Sequence, residues 1–232
     1  MLGPVTYAIW LTVLVAEFFC LFSLVRARAL PQHFTLALYM CACIATDIGS
    51  YSVIKTSGFD SNAYYYFYFY SQFLLTICLF FVLMNLYSQV FSDLGVGKQI
   101  RATAMLLLAG TSGISYYMVA TSSGRFVTHF VAELGQNLYF VAVVLTYVLW
   151  GALAKLRENR TRLMQLVLSM GVYVSLSAGS YALNNLYPHP DGFWKYYFPL
   201  TSIWLPVSWT YTFVKVPQDA RLATAKVLAP TP

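Results

Sequence analysis

The sequence predicts an all-α membrane protein: a seven-transmembrane-helix bundle with its N-terminus outside and its C-terminus in the cytoplasm. Three observations predict this class. The chain of 232 residues is 59% hydrophobic and only 9% charged, whereas a soluble domain carries roughly 25% charged residues. The apolar residues fall into seven long runs. Lysine and arginine crowd every second gap between those runs, and the alternate gaps contain few.

The seven runs match the length of about 20 mostly apolar residues that a helix needs to cross the hydrocarbon core. The predicted spans are about 5–25, 33–54, 64–91, 102–121, 127–153, 163–187 and 195–214. Short loops join them, so we expect residues 1–215 to form one transmembrane domain, with a short cytoplasmic tail at 216–232. The first run has no basic start and continues to Arg26, which predicts an uncleaved insertion signal. The tail is too short for an enzymatic output module.

The basic residues predict the orientation. Eleven of them fall after spans one, three and five and in the tail, and only three fall on the other side. The positive-inside rule places the richer side in the cytoplasm. The eleven are Arg26, Arg28, Lys98, Arg101, Lys155, Arg157, Arg160, Arg162, Lys215, Arg221 and Lys226, and the three are Lys55, Arg125 and Lys195. Insertion alone explains the formal charge of +6, so no nucleic-acid partner is expected.

Three carboxylates lie within predicted spans: Glu17 in span one, Asp47 in span two and Glu133 in span five. Each would cost about 2.5 kcal/mol or more if it faced lipid at the centre of the bilayer. We therefore expect them to face the bundle interior. With the orientation above, Asp47 lies in the outer half of its span, one helical turn from Tyr51. Glu17 lies near the middle.

Other polar residues share this outer depth. Span five carries a helical face whose members are spaced at i, i+4, i+7 and i+8, and span six carries a second such face. Spans three and four add a glutamine and several hydroxyls. The span-five face is His129, Glu133, Gln136 and Asn137, the span-six face is Tyr173, Ser177, Ser180, Tyr181 and Asn184, and the additions are Gln72, Ser112, Ser115 and Tyr116.

These residues predict a polar cavity that opens to the outside and is closed beneath by apolar packing. The candidate ligand-binding residues are Asp47, Tyr51, Gln72, Glu133, Gln136, Asn137, Ser177, Tyr181 and Asn184. Glu17 and Asn85 lie deeper and are candidates for a proton or solute path toward the cytoplasm. The alternative is that the hydroxyls and amides only join helices, at about 0.6 kcal/mol for each hydrogen bond.

Tyrosines crowd residues 64–70, at the outer edge of span three. Tyrosine favours the headgroup level of a membrane because one end of its side chain is apolar and the other is polar. Interfacial anchoring is the simplest reading of this run, and a stacking surface at the mouth of the cavity is the alternative.

No motif predicts a cofactor, a metal site or an enzymatic reaction. The histidines are His33, His129 and His189, and no span holds two of them, as a haem or zinc site would need. The last span has lysines only at its ends, whereas retinal needs one in the middle. Residues 110–113 match the serine motif of rhomboid proteases, but no histidine follows in spans six or seven to act as a base.

The aromatic run of residues 64–93, the basic segment 157–162 and the aromatic end of span seven resemble a family of uncharacterised bacterial seven-helix membrane proteins. The aromatic residues that carry the resemblance are Tyr64, Tyr66, Tyr68, Tyr70, Tyr87, Phe91, Trp204, Trp209 and Tyr211. The layout is more distantly similar to the seven-helix sensor regions of membrane histidine kinases, although no kinase follows residue 215. This resemblance implies a bacterial inner-membrane location and a sensory function.

We therefore expect a non-enzymatic, receptor-like sensor or accessory subunit that binds an unknown small ligand from the outside. Residues 155–162 and the tail are candidates for contact with a cytoplasmic or membrane protein partner or with anionic headgroups. A small-solute or proton-coupled carrier is the first alternative. A structural subunit of a larger membrane complex is the second.

Overall fold

The computed structural model describes residues 4–91, 97–120, 126–155, 161–186 and 193–217. These residues form seven helices and no strand, so the all-α prediction is confirmed for them. The helices are α1 (Pro4–Arg26), α2 (Phe34–Ser57), α3 (Asn62–Val90), α4 (Gly97–Ala120), α5 (Phe126–Lys155), α6 (Thr161–Leu186) and α7 (Phe193–Lys215). Each helix overlaps the span predicted for it.

Five stretches of helix are long and apolar enough to cross a membrane: Tyr7–Arg26, Phe34–Ser57, Asn62–Val90, His129–Lys155 and Thr161–Leu183. The stretch in α1 has 20 residues, which rise about 30 Å along a helix, the thickness of the hydrocarbon core. A shorter apolar stretch, Met105–Ala120, lies in α4. These lengths and compositions indicate an integral membrane protein.

Six helices close into a ring, and α4 lies outside it. In the ring α1 packs against α2, α2 against α3, α3 against α5, α5 against α6, α6 against α7, and α7 against α1. Helix α4 packs mainly on α5 and less on α3. Short connections make successive helices antiparallel, so α1 begins at the end of the bundle where α2 ends. We call this the N-terminal end and the other the C-terminal end.

The hairpin between α2 and α3 lies at the N-terminal end and is fixed by its local sequence. Gly58 ends α2 with φ of 85°, a left-handed conformation that glycine adopts without a side-chain clash. The hydroxyl of Ser61 then accepts a hydrogen bond of 3.1 Å from the amide of Tyr64, which caps the start of α3. The cap sets the first turn of α3 beside the last turn of α2.

The hydrophobic core occupies the half of the bundle nearer the C-terminal end. Most of its largest fully buried side chains come from the second halves of α1, α3, α5 and α7 and the first halves of α2 and α6. They include Leu24, Leu36, Met40, Leu83, Leu86, Leu149, Leu166, Met170, Leu205 and Trp209. This placement leaves the N-terminal half of the ring without an equally dense core.

Polar side chains bind the connection between α1 and α2 at the C-terminal end. The amides of Asn85 and Gln89 donate to the carbonyl of Gln32 at 3.3 and 3.1 Å. The Gln89 amide also lies 3.3 Å from Nδ1 of the buried His33. Asn85, predicted as part of a path below the cavity, therefore joins α3 to the connection between α1 and α2.

Arg162, at the start of α6, is 8% exposed. Its guanidinium donates two hydrogen bonds to the carbonyl of Val216, at 3.0 and 2.6 Å, and lies 5.6 Å from the ring centre of Phe213. These contacts hold α6 to the end of α7 and leave Arg162, part of the segment predicted to contact a partner, buried within the bundle. Residues 156–160 and the tail beyond residue 217 lie outside the described residues.

The contact between α5 and α6 yields a stability prediction. A Cβ atom at Gly171 would overlap the ring of Trp150 and lie 2.7 Å from the methyl group of Thr146. We expect Gly171→Ala to lower the free energy of unfolding in detergent by about 1–3 kcal/mol, the usual cost of overpacking.

Gly179→Ala is the matched control in the same helix, because a Cβ there meets nothing within 4 Å. That variant should keep or slightly raise the stability, since alanine favours a helix over glycine. Equal losses in the two variants would contradict the packing described here.

Candidate functional site: an aromatic and acidic cavity

A cavity of about 430 Å³ lies inside the ring, in its N-terminal half. Residues of all six ring helices line it, and no described residue of α4 does. The lining includes Tyr7, Trp10, Val13 and Glu17 of α1; Tyr39, Cys43, Asp47, Ser50, Tyr51 and Ile54 of α2; Tyr64, Tyr68, Ser71, Gln72 and Leu75 of α3; Tyr139 of α5; Tyr173, Ser177 and Tyr181 of α6; and Thr201, Ser202, Leu205 and Pro206 of α7. Its volume is typical of a small-molecule site.

The cavity reaches the N-terminal end of the bundle. Phe59, in the connection between α2 and α3, contributes to the lining and is half exposed. Tyr7 and Tyr51 also line it and are 42% and 45% exposed. Residues at helix ends and in a connecting loop therefore form the mouth, and the cavity is accessible from that side.

Two carboxylates lie on its wall. Glu17 of α1 is only 6% exposed, and its Oε2 has no hydrogen-bond partner among the described residues. On α2, Asp47 accepts a hydrogen bond from the indole of Trp10, whereas its Oδ2 likewise has no partner in the described part of the chain. The two side chains interact electrostatically. The cavity wall therefore carries two carboxyl side chains, each with one enclosed oxygen that has no partner among the described residues.

Tyrosine hydroxyls form the floor. The hydroxyl of Tyr173 hydrogen-bonds with the hydroxyls of Tyr39 and Tyr139 and with Ser177, which joins α6 to α2 and α5. The ring of Tyr139 lies 5.5 Å from that of Tyr181. These hydroxyls make the floor polar at the depth where the apolar core begins.

Aromatic rings surround the mouth. Trp10 of α1 and Tyr51 of α2 stack with their ring centres 5.6 Å apart. Tyr64 and Tyr68 are one turn apart on α3, with ring centres separated by 6.4 Å. The faces of these rings carry partial negative charge. No lysine, arginine or histidine is among the described residues that line the cavity, so its chemistry is acidic and aromatic.

Most of the predicted ligand-binding residues come together here. The cavity is lined by Asp47, Tyr51, Gln72, Ser177 and Tyr181 and, at greater depth, by Glu17. These residues come from the spans predicted as one, two, three and six. The side chain of Asn184 lies outside the described residues.

The predicted face of span five does not line the cavity, and Glu133, Gln136 and Asn137 lie outside it. The amide of Asn137 donates a 3.0 Å hydrogen bond to the hydroxyl of Ser115 on α4. Tyr139, which does line the cavity, follows Asn137 by two residues and so lies about 200° around the helix. The polar face of α5 therefore belongs to the side that α4 covers.

Sequence reasoning missed several aromatic lining residues, including Tyr7, Trp10, Tyr39 and Tyr139. A signal for some of them was present. Tyr39, Cys43, Asp47, Ser50 and Ile54 recur at intervals of three or four residues along α2, which is the spacing of one helix face. Of the tyrosine run 64–70, Tyr64 and Tyr68 line the cavity, whereas Tyr66 and Tyr70 stack on each other outside it.

No protein-family model, curated protein or solved structure matches the chain. The resemblance to bacterial seven-helix sensors therefore stays an expectation from the sequence.

The hydrogen bond between Asn137 and Ser115 predicts a structural role for Asn137. We expect Asn137→Leu and Ser115→Ala each to lower the free energy of unfolding in detergent. In a double-mutant cycle the pair should couple by about 0.6 kcal/mol, the average for such bonds between membrane helices. Fully additive losses would contradict the bond between α5 and α4.

Proposed function

We propose that the chain is a receptor-like, non-enzymatic membrane protein with seven spans that binds a small ligand from the extracytoplasmic side. The observation that carries this proposal is the cavity, which is reached from the N-terminal end of the bundle and ends at a tyrosine floor above the apolar core. No motif in the sequence specifies a reaction, which favours binding over catalysis.

The distribution of charge supports an extracytoplasmic mouth. Among the basic residues whose side chains the structure describes, Arg26, Arg28, Lys155, Arg162 and Lys215 belong to the C-terminal end and Lys55 to the N-terminal end. The positive-inside rule places the C-terminal end in the cytoplasm. Outside the described side chains lie Lys98, Arg101, Arg125, Arg157, Arg160, Lys195, Arg221 and Lys226.

The packing beneath the floor favours a receptor over a carrier. Glu17 reaches deepest among the carboxylates of the cavity, and Cys20 and Leu24, one and two turns further along the same face of α1, are fully buried. A carrier must open its site to each side in turn, which would separate this packed core. The carrier remains the second candidate because Glu17 stands at the boundary between cavity and core.

A sensor of this kind needs a partner to receive its signal. The candidates for partner contact are Lys155, which is exposed at the end of α5, and the neighbouring residues 156–160 and 218–232. Permanent incorporation into a larger complex, the structural alternative, would require a partner that stays bound through purification.

Accessibility of a single cysteine distinguishes receptor from carrier without knowledge of the ligand. We expect Ser177→Cys, in a background where Cys20, Cys41, Cys43 and Cys78 are alanine, to react with a small membrane-impermeant thiosulfonate in right-side-out vesicles. The same position should stay unreactive in inside-out vesicles, because the core closes the cavity on that side.

The control is Lys155→Cys in the same background, which should react only in inside-out vesicles. Reaction of Ser177→Cys from both sides would favour a carrier with alternating access. Reaction from the cytoplasmic side alone would contradict the proposed orientation.

A further inference from the structure

We propose that the ligand of this cavity is a small organic ammonium ion: an amine whose charged head binds at Glu17 and Asp47 and whose apolar body lies among the aromatic rings. This inference rests on the proposed function, since it names the ligand class of the same site. The inference goes beyond the proposed function because it assigns the charge, the hydrogen-bond donors and the size of the ligand.

The first support is the pair of carboxylate oxygens without partners. Oε2 of Glu17 and Oδ2 of Asp47 are buried and accept no hydrogen bond from the described residues. A buried acceptor without a donor costs about 1–3 kcal/mol, and more when it is charged. Ionised carboxylates only accept hydrogen bonds. Because both side chains line the cavity, a ligand that binds them as carboxylates must bring N–H or O–H donors.

The second support is the balance of charge. Glu17 and Asp47 are close enough to interact, and no basic residue is among the described residues of the lining. An anionic ligand would meet two acidic groups without a compensating cation. A cation supplies the missing partner, and a charge-assisted hydrogen bond is roughly twice as strong as a neutral one.

The third support is the aromatic wall. A cation within about 6 Å of an aromatic ring centre is attracted to the face of the ring, and the attraction grows when water is excluded. Trp10, Tyr51, Tyr64, Tyr68 and Tyr139 all line the cavity. Their rings provide both this attraction and apolar surface for the body of an amine.

The size and ligand set of the cavity favour an organic cation over a metal ion. About 430 Å³ holds a molecule of many atoms, not a single ion. No group of three or more histidine, cysteine, aspartate or glutamate residues converges among the described residues. Two carboxylates in a cavity lined largely by aromatic rings suit an ammonium head with a hydrophobic substituent.

Three probes of similar shape and different charge test the inference: phenethylammonium, neutral 2-phenylethanol and anionic 3-phenylpropionate at pH 7. We expect phenethylammonium to raise the melting temperature of the full chain in detergent with a saturable dependence on concentration. The alcohol should have a much smaller effect and the carboxylate none.

Three matched variants assign the effect to the site. Glu17→Gln and Asp47→Asn keep the side-chain size and should each weaken phenethylammonium binding at least about tenfold, the usual consequence of removing one partner of a buried charged pair. Without ligand, Glu17→Gln should melt no lower than the parent, because it removes a buried carboxylate that lacks a cation. Glu133→Gln, a carboxylate outside the cavity, should leave binding unchanged.

Equal stabilisation by the alcohol, preference for the carboxylate, or no saturable effect of any probe would each overturn the ammonium inference. So would undiminished phenethylammonium binding in both cavity variants, and Asp47→Asn carries this test alone if Glu17→Gln fails to fold. These outcomes leave the cysteine accessibility of the cavity untouched. The proposed receptor function would be contradicted only by the cysteine accessibility measurement.

Discussion

Two carboxylates within apolar helices are the constraint on which the arrangement of this bundle depends. A charged side chain facing the centre of a bilayer costs at least about 2.5 kcal/mol, and Glu17 and Asp47 avoid that cost by facing the interior of the ring. Interior placement removes them from lipid but also from bulk water, so the site must provide polar partners. Trp10 provides one, a hydrogen bond to Asp47. Both side chains also line a cavity, where a ligand or water can contact them.

The need for that cavity explains why the two halves of the ring differ. In the N-terminal half, tyrosines, serines and threonines line the space. Tyr173 pairs its hydroxyl with those of Tyr39 and Tyr139, and Ser71 donates to the carbonyl of Tyr68. In the C-terminal half, Leu83, Met170 and similar residues are fully buried and close the ring. A bundle packed densely throughout would leave no room for a ligand, and one open throughout would leave a pore.

Helical periodicity explains both what the sequence predicted and where it failed. Residues three or four apart share a face, so Asp47 with Tyr51 and Ser177 with Tyr181 could be assigned to one side and one depth. The neighbour that a face meets depends on the order of helices around the ring, which is a property of long-range packing. Placing α4 outside the ring turned the polar face of α5 toward Ser115. Tyr39 and Tyr139 are not assigned to the cavity from the sequence, because their hydroxyls find partners across helices.

Helix α7 connects the floor of the cavity to the contacts at the C-terminal end. Leu205 lines the cavity, and Trp209, one turn later, packs edge-on against Tyr39 of the floor. Phe213, a further turn along, contacts His33 and Arg162. A ligand changes the position of such a helix only to the extent that it binds two arrangements unequally. Since Tyr39 contacts both the cavity and Trp209, a ligand that displaces its ring alters the packing of α7. A movement of α7 relative to α6 would in turn alter the hydrogen bonds between Arg162 and Val216.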